Sequence, residues 1–244
     1  MILDIYKDSF EYSAKDWRIL VKLGVFAFFS FLLIPIFLIG GYNYRVMDTA
    51  VHGIINGRDP LPEFDDIVGM FVDGVKVVII QIAYLIVPTL LFIIFVLIAK
   101  QFSGVVFSAI LIIGALITFI IGILAFLMRE LGICNMAYND GSFFKAFAIR
   151  ELKDVIDEIS WFECISTYVG LVIITATLAF VVNMIIGIIF AIFGISGAML
   201  GVDTTVIFVA GALVNFVVVM FIVGPYLSIF NSRAMGLLYA MQGR

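Results

Sequence analysis

Five stretches of the 244-residue chain carry no Asp, Glu, Lys or Arg: Leu23–Tyr44, Val77–Ala99, Gln101–Met128, Cys164–Val202 and Thr204–Ser232. Their lengths are 22, 23, 28, 39 and 29 residues, so the 14 basic and 18 acidic residues are confined to what lies between them. An apolar helix of about 20 residues crosses the hydrocarbon core of a bilayer. A charge near the centre of such a helix costs at least about 2.5–3.5 kcal/mol. The pattern therefore predicts an all-α, polytopic transmembrane helical bundle with five spans, at 20–44, 75–99, 102–128, 163–190 and 205–231.

Composition excludes the main alternatives. With 64% hydrophobic and only 13% charged residues, the chain is too apolar to bury its surface in one soluble core. A net charge of −4 argues against a nucleic-acid partner, and no run of Lys and Arg marks an anionic-lipid patch. No linker divides residues 1–244, so a single integral membrane domain is expected. Cys134 and Cys164 form no CxxC pair and read as small apolar fillers. The first apolar run is longer than a signal-peptide core and lacks a small-residue cleavage site, so it is expected to be retained.

The segments between the stretches are patterned for helices lying on a surface. Leu3, Tyr6, Phe10, Ala14 and Trp17 recur at helical spacing, predicting an amphipathic helix over 1–18. Ser13 with Asp16 resembles a capping box for the first span. Asp59 followed by Pro60 reads as the start of a second surface helix over 60–74, with Phe64, Ile67, Val68, Phe71 and Val75 on its apolar face. Ser142 starts a third over 142–160, with Phe144, Ala148, Leu152, Val155, Ile159 and Phe162 on one side. Trp17 and Trp161 stand at the heads of two spans as interfacial anchors.

A weak repeat runs through this order. Arg45 and Arg129 each end a span and precede Asn56-Gly57 and Asp140-Gly141, twelve residues on to the glycine, and Arg233 opens a third copy. The repeat places spans one, three and five with their ends on one face, beside Arg45, Arg58, Lys76, Arg129, Lys145, Arg150, Lys153, Arg233 and Arg244. Lys7, Lys15, Arg18, Lys22 and Lys100 fall on the other. The excess predicts a cell-membrane protein with its large loops and C-terminus in the cytoplasm. The 39-residue stretch is read as one crossing whose glycine-rich second half, from Gly187 to Gly201, bends or unwinds.

Polar residues at membrane depth are the sequence's pointers to function. They are uncharged: Gln81, Thr118, Thr175, Thr177, Asn183 and Asn215. Thr175, Ala179, Asn183, Gly187 and Ala191 fall at i+4 steps, a small-residue stripe that lets helices approach closely or lines a passage. Asp59, Glu63, Asp65, Asp66 and Asp73 lack the spacing of a calcium loop, and His52 has no Cys or second His beside it, so no metal site and no cofactor are expected. GxSxG, HExxH and phosphate-loop motifs are absent, which predicts no catalytic residues.

The run Gly41-Tyr42, Arg45, Gly57, Leu61-Pro62-Glu63-Phe64-Asp65-Asp66, Phe71, Asp73-Gly74 and Lys76, with Tyr84 and Pro88 following, resembles an uncharacterised family of archaeal and bacterial multi-pass membrane proteins, domain-of-unknown-function family 4013. The likeness extends through Gly141-Ser142 to Arg233-Ala234. It implies spans with surface helices between them and brings no activity. Three roles follow in rank: a non-catalytic membrane component organising membrane lipids, a membrane-protein partner or a second copy of itself; passive passage or lipid scrambling along the Thr175–Asn183 stripe; and an interfacial lipid enzyme using Asp65, Asp66 or His52.

Overall fold

In the computed structural model, which describes residues 1–242, the chain is all-α: α1 (Ile2–Ser13), α2 (Trp17–Phe28), α3 (Ile34–Val51), α4 (Ile67–Ala99), α5 (Gly104–Tyr138), α6 (Ile149–Ile159), α7 (Trp161–Met199), α8 (Thr204–Val218) and α9 (Gly224–Tyr239). Arg244 lies outside the described residues. Four helices are long and apolar enough to cross a membrane: α4, α5, α7 and the continuous rod Thr204–Tyr239 formed by α8 and α9, with 33, 35, 39 and 36 residues. At 1.5 Å per residue these are roughly 50–58 Å long, well beyond the ~30 Å hydrocarbon core. Their excess length projects at one end, where most of the remaining structure gathers.

The segment expected as the first span is instead a broken hairpin. Pro35 has no N–H to donate and clashes with the preceding turn, so a straight helix through it is disfavoured. The chain closes α2 with a 3₁₀ turn at Phe29–Leu32, turns at Leu33 with φ +66°, and restarts as α3 with Pro35 in its first turn. Ser30 Oγ donates to Phe26 O at 3.0 Å, and Leu33 N to Ser30 O at 3.0 Å, so the bend satisfies part of its own backbone. Phe31, Leu32, Leu33 and Ile34 at the tip are exposed. Both arms open toward the same end: Lys22 lies over the Phe64 ring, and Arg45 reaches Asp65 and Asp66. Lys7, Lys15, Arg18 and Lys22 therefore share a face with the other basic residues. Of the described Lys and Arg side chains only Lys100 lies at the opposite end.

The surface segments also differ from their periodicity. Pro60 and Pro62 keep residues 59–63 out of the helical region. Asp66, accepting from Gly69 N at 2.9 Å, caps a helix that begins at Ile67 and runs unbroken to Ala99. The surface helix expected over 60–74 is thus the first turns of α4. Over 142–160 the chain forms a 3₁₀ turn at Phe143–Phe147 and then α6, whose Leu152, Val155, Ile156 and Ile159 are buried while Phe144 and Phe162 are exposed. Asn135 ties this segment down: its Nδ2 donates to Lys145 O (2.9 Å) and Glu151 Oε2 (3.3 Å), and its Oδ1 accepts from Tyr239 OH (2.7 Å). Asp16, not Ser13, caps α2, and Ser13 Oγ donates back to Ser9 O within α1.

Of the apolar face expected on α1, Tyr6 and Phe10 pack against the core while Leu3 is 77% exposed. Beside them Asp8, Ser9 and Ser13 are buried together with Ile5 and Tyr12. The cause is Arg233 on α9, which is fully buried. Its Nε donates to Asp8 Oδ1 and its Nη2 to Asp59 Oδ2, both at 2.9 Å, and its guanidinium lies 4.4 Å over the Tyr12 ring. Tyr12 OH donates to Pro60 O at 2.8 Å, and burial pushes that phenol up to about 12, with Arg233 opposing. One cation thereby binds the N-terminal helix, the 52–66 loop and the last helix together.

Glycines set the close approaches. At Gly41 and Gly74 a β-carbon would overlap the Met70 and Phe37 carbonyls, so α3 and α4 touch backbone to backbone. Further out, α7 does not unwind at its glycines: Phe208 and Ile207 of α8 seat on Gly194 and Gly197, and Phe190 of α7 on Gly211. The chain turns only at Gly201, with φ +73°. Pro225 removes the donor that Phe221 O would receive in an α-helix. A π turn over Val219–Val223 joins α8 to α9 there, where Gly24 of α2 meets Phe221.

Three substitutions test this packing. Gly74→Ala is expected to cost about 2 kcal/mol or more in a thermal melt in detergent, because neither backbone can yield. Gly187→Ala, with open space beyond its Cα, is expected to raise stability by about 0.5–1 kcal/mol. Arg233→Met, which strands buried Asp8, is expected to cost about 3–5 kcal/mol, with most of the loss recovered when Asp8→Leu is added.

Candidate functional site

Three cavities adjoin one another along the inner side of α5. The largest, of about 720 Å³, is an apolar cleft between α4, α5 and α7, bounded by Leu85, Pro88, Phe92, Phe119, Phe126 and Val172 among others. Sequence opens it in two ways. Pro88, inside α4, cannot donate to Tyr84 O and so loosens one turn of that wall. On α5, Gly122 is buried yet has nothing within 4 Å of where a β-carbon would stand, so the missing side chain is part of the cavity.

Tyr168 and Val172 also bound a second cavity of about 370 Å³ between α5, α7 and α9, where the lining turns polar with Arg129, Glu130, Thr175 and Asn231. Arg129 lies 5.0 Å over the Phe126 ring and pairs through Nη2 with Glu130, but its buried Nε has no acceptor. Thr175 Oγ1 donates to Asn231 Oδ1 at 3.1 Å, which leaves the Asn231 amide N–H groups free for the cavity. Glu130 and Asn231 line a third cavity too, of about 170 Å³, enclosed with Asn43 and Tyr44 of α3, Gln81 of α4, and Ser228 and Ser232 of α9. Asn43 Oδ1 is buried there without a donor. From the cleft inward the lining thus passes from hydrocarbon to an ion pair to hydroxyls and amides.

The sequence's polar candidates divide. Thr118 lines the cleft with its hydroxyl unpartnered, and Gln81 lines the smallest cavity. Thr175 and Asn183 do not face a common passage. Thr175 bonds Asn231, while Asn183 Oδ1 accepts from Asn215 Nδ2 at 2.8 Å and its own Nδ2 donates to Ala179 O at 2.7 Å. The stripe is the seam along which α7 packs on α8 and α9. Trp161 donates from Nε1 to Asp157 Oδ1 at 2.7 Å, and Trp17 stands exposed at the head of α2. Asp65 and Asp66 are engaged by Arg45. His52 stacks on Tyr138 at 5.9 Å with Nδ1 3.0 Å from Asp48 O, and burial raises the Asp48 carboxyl while His52 opposes it.

Arg129 and Glu130 are the residues that the pattern of charge-free stretches passes over, because they stand at the edge of one and read as a boundary. The signal available was that helical residues continue for eight positions beyond them, so that both remain inside the bundle.

A family model described as protein of unknown function (DUF4013) matches residues 28–191. The chain belongs to this family. The matched region runs from the hairpin tip through most of α7 and contains every residue of the apolar cleft, while Asp8, Asn231 and Arg233 fall outside it. Uncharacterized protein MJ0233 of Methanocaldococcus jannaschii is 28% identical over 209 residues, covering 83% of this chain and 70% of that protein. No solved structure matches the chain.

Asn183 and Asn215 give a direct test of the seam. A double-mutant cycle with Asn183→Leu and Asn215→Leu, read by unfolding in detergent, is expected to return a coupling of about 0.6–1.7 kcal/mol, the range for hydrogen bonds between spanning helices.

Proposed function

We propose that this chain is a non-catalytic component of the cell membrane that organises lipid by holding an acyl chain in the cleft between α4, α5 and α7. The observation that carries the reading is Gly122, a buried helical residue whose missing side chain leaves the cleft open where tight packing would otherwise be expected. The apolar lining suits an acyl chain, and the polar end, at the depth of Arg129, suits a headgroup. Arg129 stands 25 residues beyond Gly104, or roughly 38 Å along the helix, enough to carry it past the hydrocarbon core.

Lipid is favoured over a protein partner or a second copy because the glycines of α7 that would receive another helix already receive Phe208 and Ile207 of α8. Passage along the fourth stretch is disfavoured for a related reason: its amides are spent on the α7–α8 seam. The gathering of all described Lys and Arg residues except Lys100 at one end supports an orientation with that end, the 52–66 loop and the C-terminus in the cytoplasm.

Native mass spectrometry in mild detergent tests the reading. The protein is expected to retain co-purified lipid, and Gly122→Leu to lower retention severalfold with the fold intact, since the new side chain enters open space and improves helix propensity. Equal retention by the variant, or none by the native protein, would remove the proposal. Lipid flux in liposomes that survives Gly122→Leu but is lost in Asn183→Leu would favour passage instead.

A further inference from the structure

We infer that the headgroup this site takes is zwitterionic, a phosphodiester bearing a primary ammonium, with the phosphate in the middle cavity and the ammonium toward the innermost one. The inference rests on the cleft's being a lipid site and adds what the polar end recognises. Two buried atoms without partners define it. Arg129 Nε is a donor lacking an acceptor, and Asn43 Oδ1 is an acceptor lacking a donor. Buried polar atoms are nearly always hydrogen-bonded, so each calls for a specific counterpart.

The unpartnered groups differ between the cavities, a donor at Arg129 beside the middle one and an acceptor at Asn43 beside the innermost. In the middle one, Arg129 Nε and the Asn231 amide nitrogen, left over where Thr175 donates to Oδ1, both present N–H groups. A phosphate oxygen accepts from such a pair. Next to it the innermost cavity presents acceptors, the Glu130 carboxylate and Asn43 Oδ1. An ammonium with N–H groups donates to both. Glu130 and Asn231 line both cavities, so the two halves of the headgroup would sit one on either side of the same two residues.

Charge selects the zwitterion over an anionic lipid. The Arg129–Glu130 pair is neutral as a whole and only partly exposed. A net anion beside it would leave a charge uncompensated in a poorly hydrated site, whereas a zwitterion keeps the sum at zero. A quaternary amine fails for a different reason: it has no N–H to donate to Asn43 Oδ1.

The experiment compares chain-matched phosphatidylethanolamine, phosphatidylcholine and phosphatidylglycerol added to the delipidated full-length protein, with bound lipid read by native mass spectrometry. The phosphatidylethanolamine species is expected to bind about tenfold better than either other lipid. Glu130→Gln should bring it within about twofold of phosphatidylcholine, and Gly122→Leu should lower all three alike. Should Glu130→Gln not fold, Asn43→Leu serves the same purpose, with the ethanolamine lipid losing several-fold and the choline lipid unchanged. Binding of all three without preference overturns the headgroup assignment and leaves the lipid cleft standing. A preference for phosphatidylglycerol also overturns the assignment, in favour of an anionic head. Free O-phosphoethanolamine displacing the lipid at equal concentration overturns the tail's part in the site. Absence of any bound lipid overturns both this inference and the reading beneath it.

Discussion

A fully buried guanidinium organises the end of this protein that carries nearly all its charge. Arg233 donates hydrogen bonds to Asp8 near the N-terminus and to Asp59 in the 52–66 loop, and lies on the face of Tyr12. Taking the guanidinium and the Asp8 carboxylate out of water is unfavourable by itself, and the arrangement holds only because they pair, with the partly exposed Asp59 beside them. The consequence is geometric. Asp8 must face α9, so α1 turns Asp8, Ser9 and Ser13 inward and leaves Leu3 outside. Asp59 must reach the same cation, so the loop folds back over α1 and α9 and does not start a helix. With α1 pinned at this end, α2 begins there, and the arm that follows must return to reach Arg45 and its partners.

The hairpin of α2 and α3 is therefore as much a product of its two anchored ends as of its own sequence. Proline shows this clearly, because three of the chain's prolines stand in apolar helical sequence and have three outcomes. Pro35 ends one helix and starts another, Pro88 sits within an unbroken α4 beside the cleft, and Pro225 is accommodated by a π turn. The residue removes the same hydrogen bond each time. What differs is the surrounding demand: anchored arms at Pro35, a continuous packing partner in α5 along α4, and the close crossing of Gly24 on Phe221 next to Pro225.

Much of the outer structure was legible in residue order. The charge-free stretches mark α4, α5, α7 and the α8–α9 rod, and Arg45, Arg129 and Arg233 all stand toward the C-terminal ends of their helices, which run on for six to nine residues beyond them. Asn56 and Asp140, its paired positions, both adopt left-handed backbone. The small-residue stripe of α7 was readable as a packing surface, which is what Phe208, Asn215 and Asn231 make of it. The candidate site was hardly legible. Thr118 and Gln81 were singled out for being polar in apolar surroundings, but the cleft is made by absences at Gly122 and Pro88, and its charged end by a pair that reads as a span boundary. A void has no residue of its own to announce it.

Taken alone, the sequence determines that the chain is a helical membrane bundle, because no other arrangement satisfies backbone hydrogen bonds and buries so little charge over such long apolar runs. It also carries the local punctuation between the last two apolar stretches, where Gly201 turns the chain and Asp203 caps the next helix. The tertiary structure alone decides that the first apolar stretch bends back, that Asp8 lies inside and Leu3 outside, and that Arg129, Asn231, Glu130 and Asn43 meet around adjoining cavities. Local chemistry settles the first group of features over a turn or two of chain. The second depends on charges and contacts separated by scores or hundreds of residues, which only the packed bundle brings within hydrogen-bonding distance.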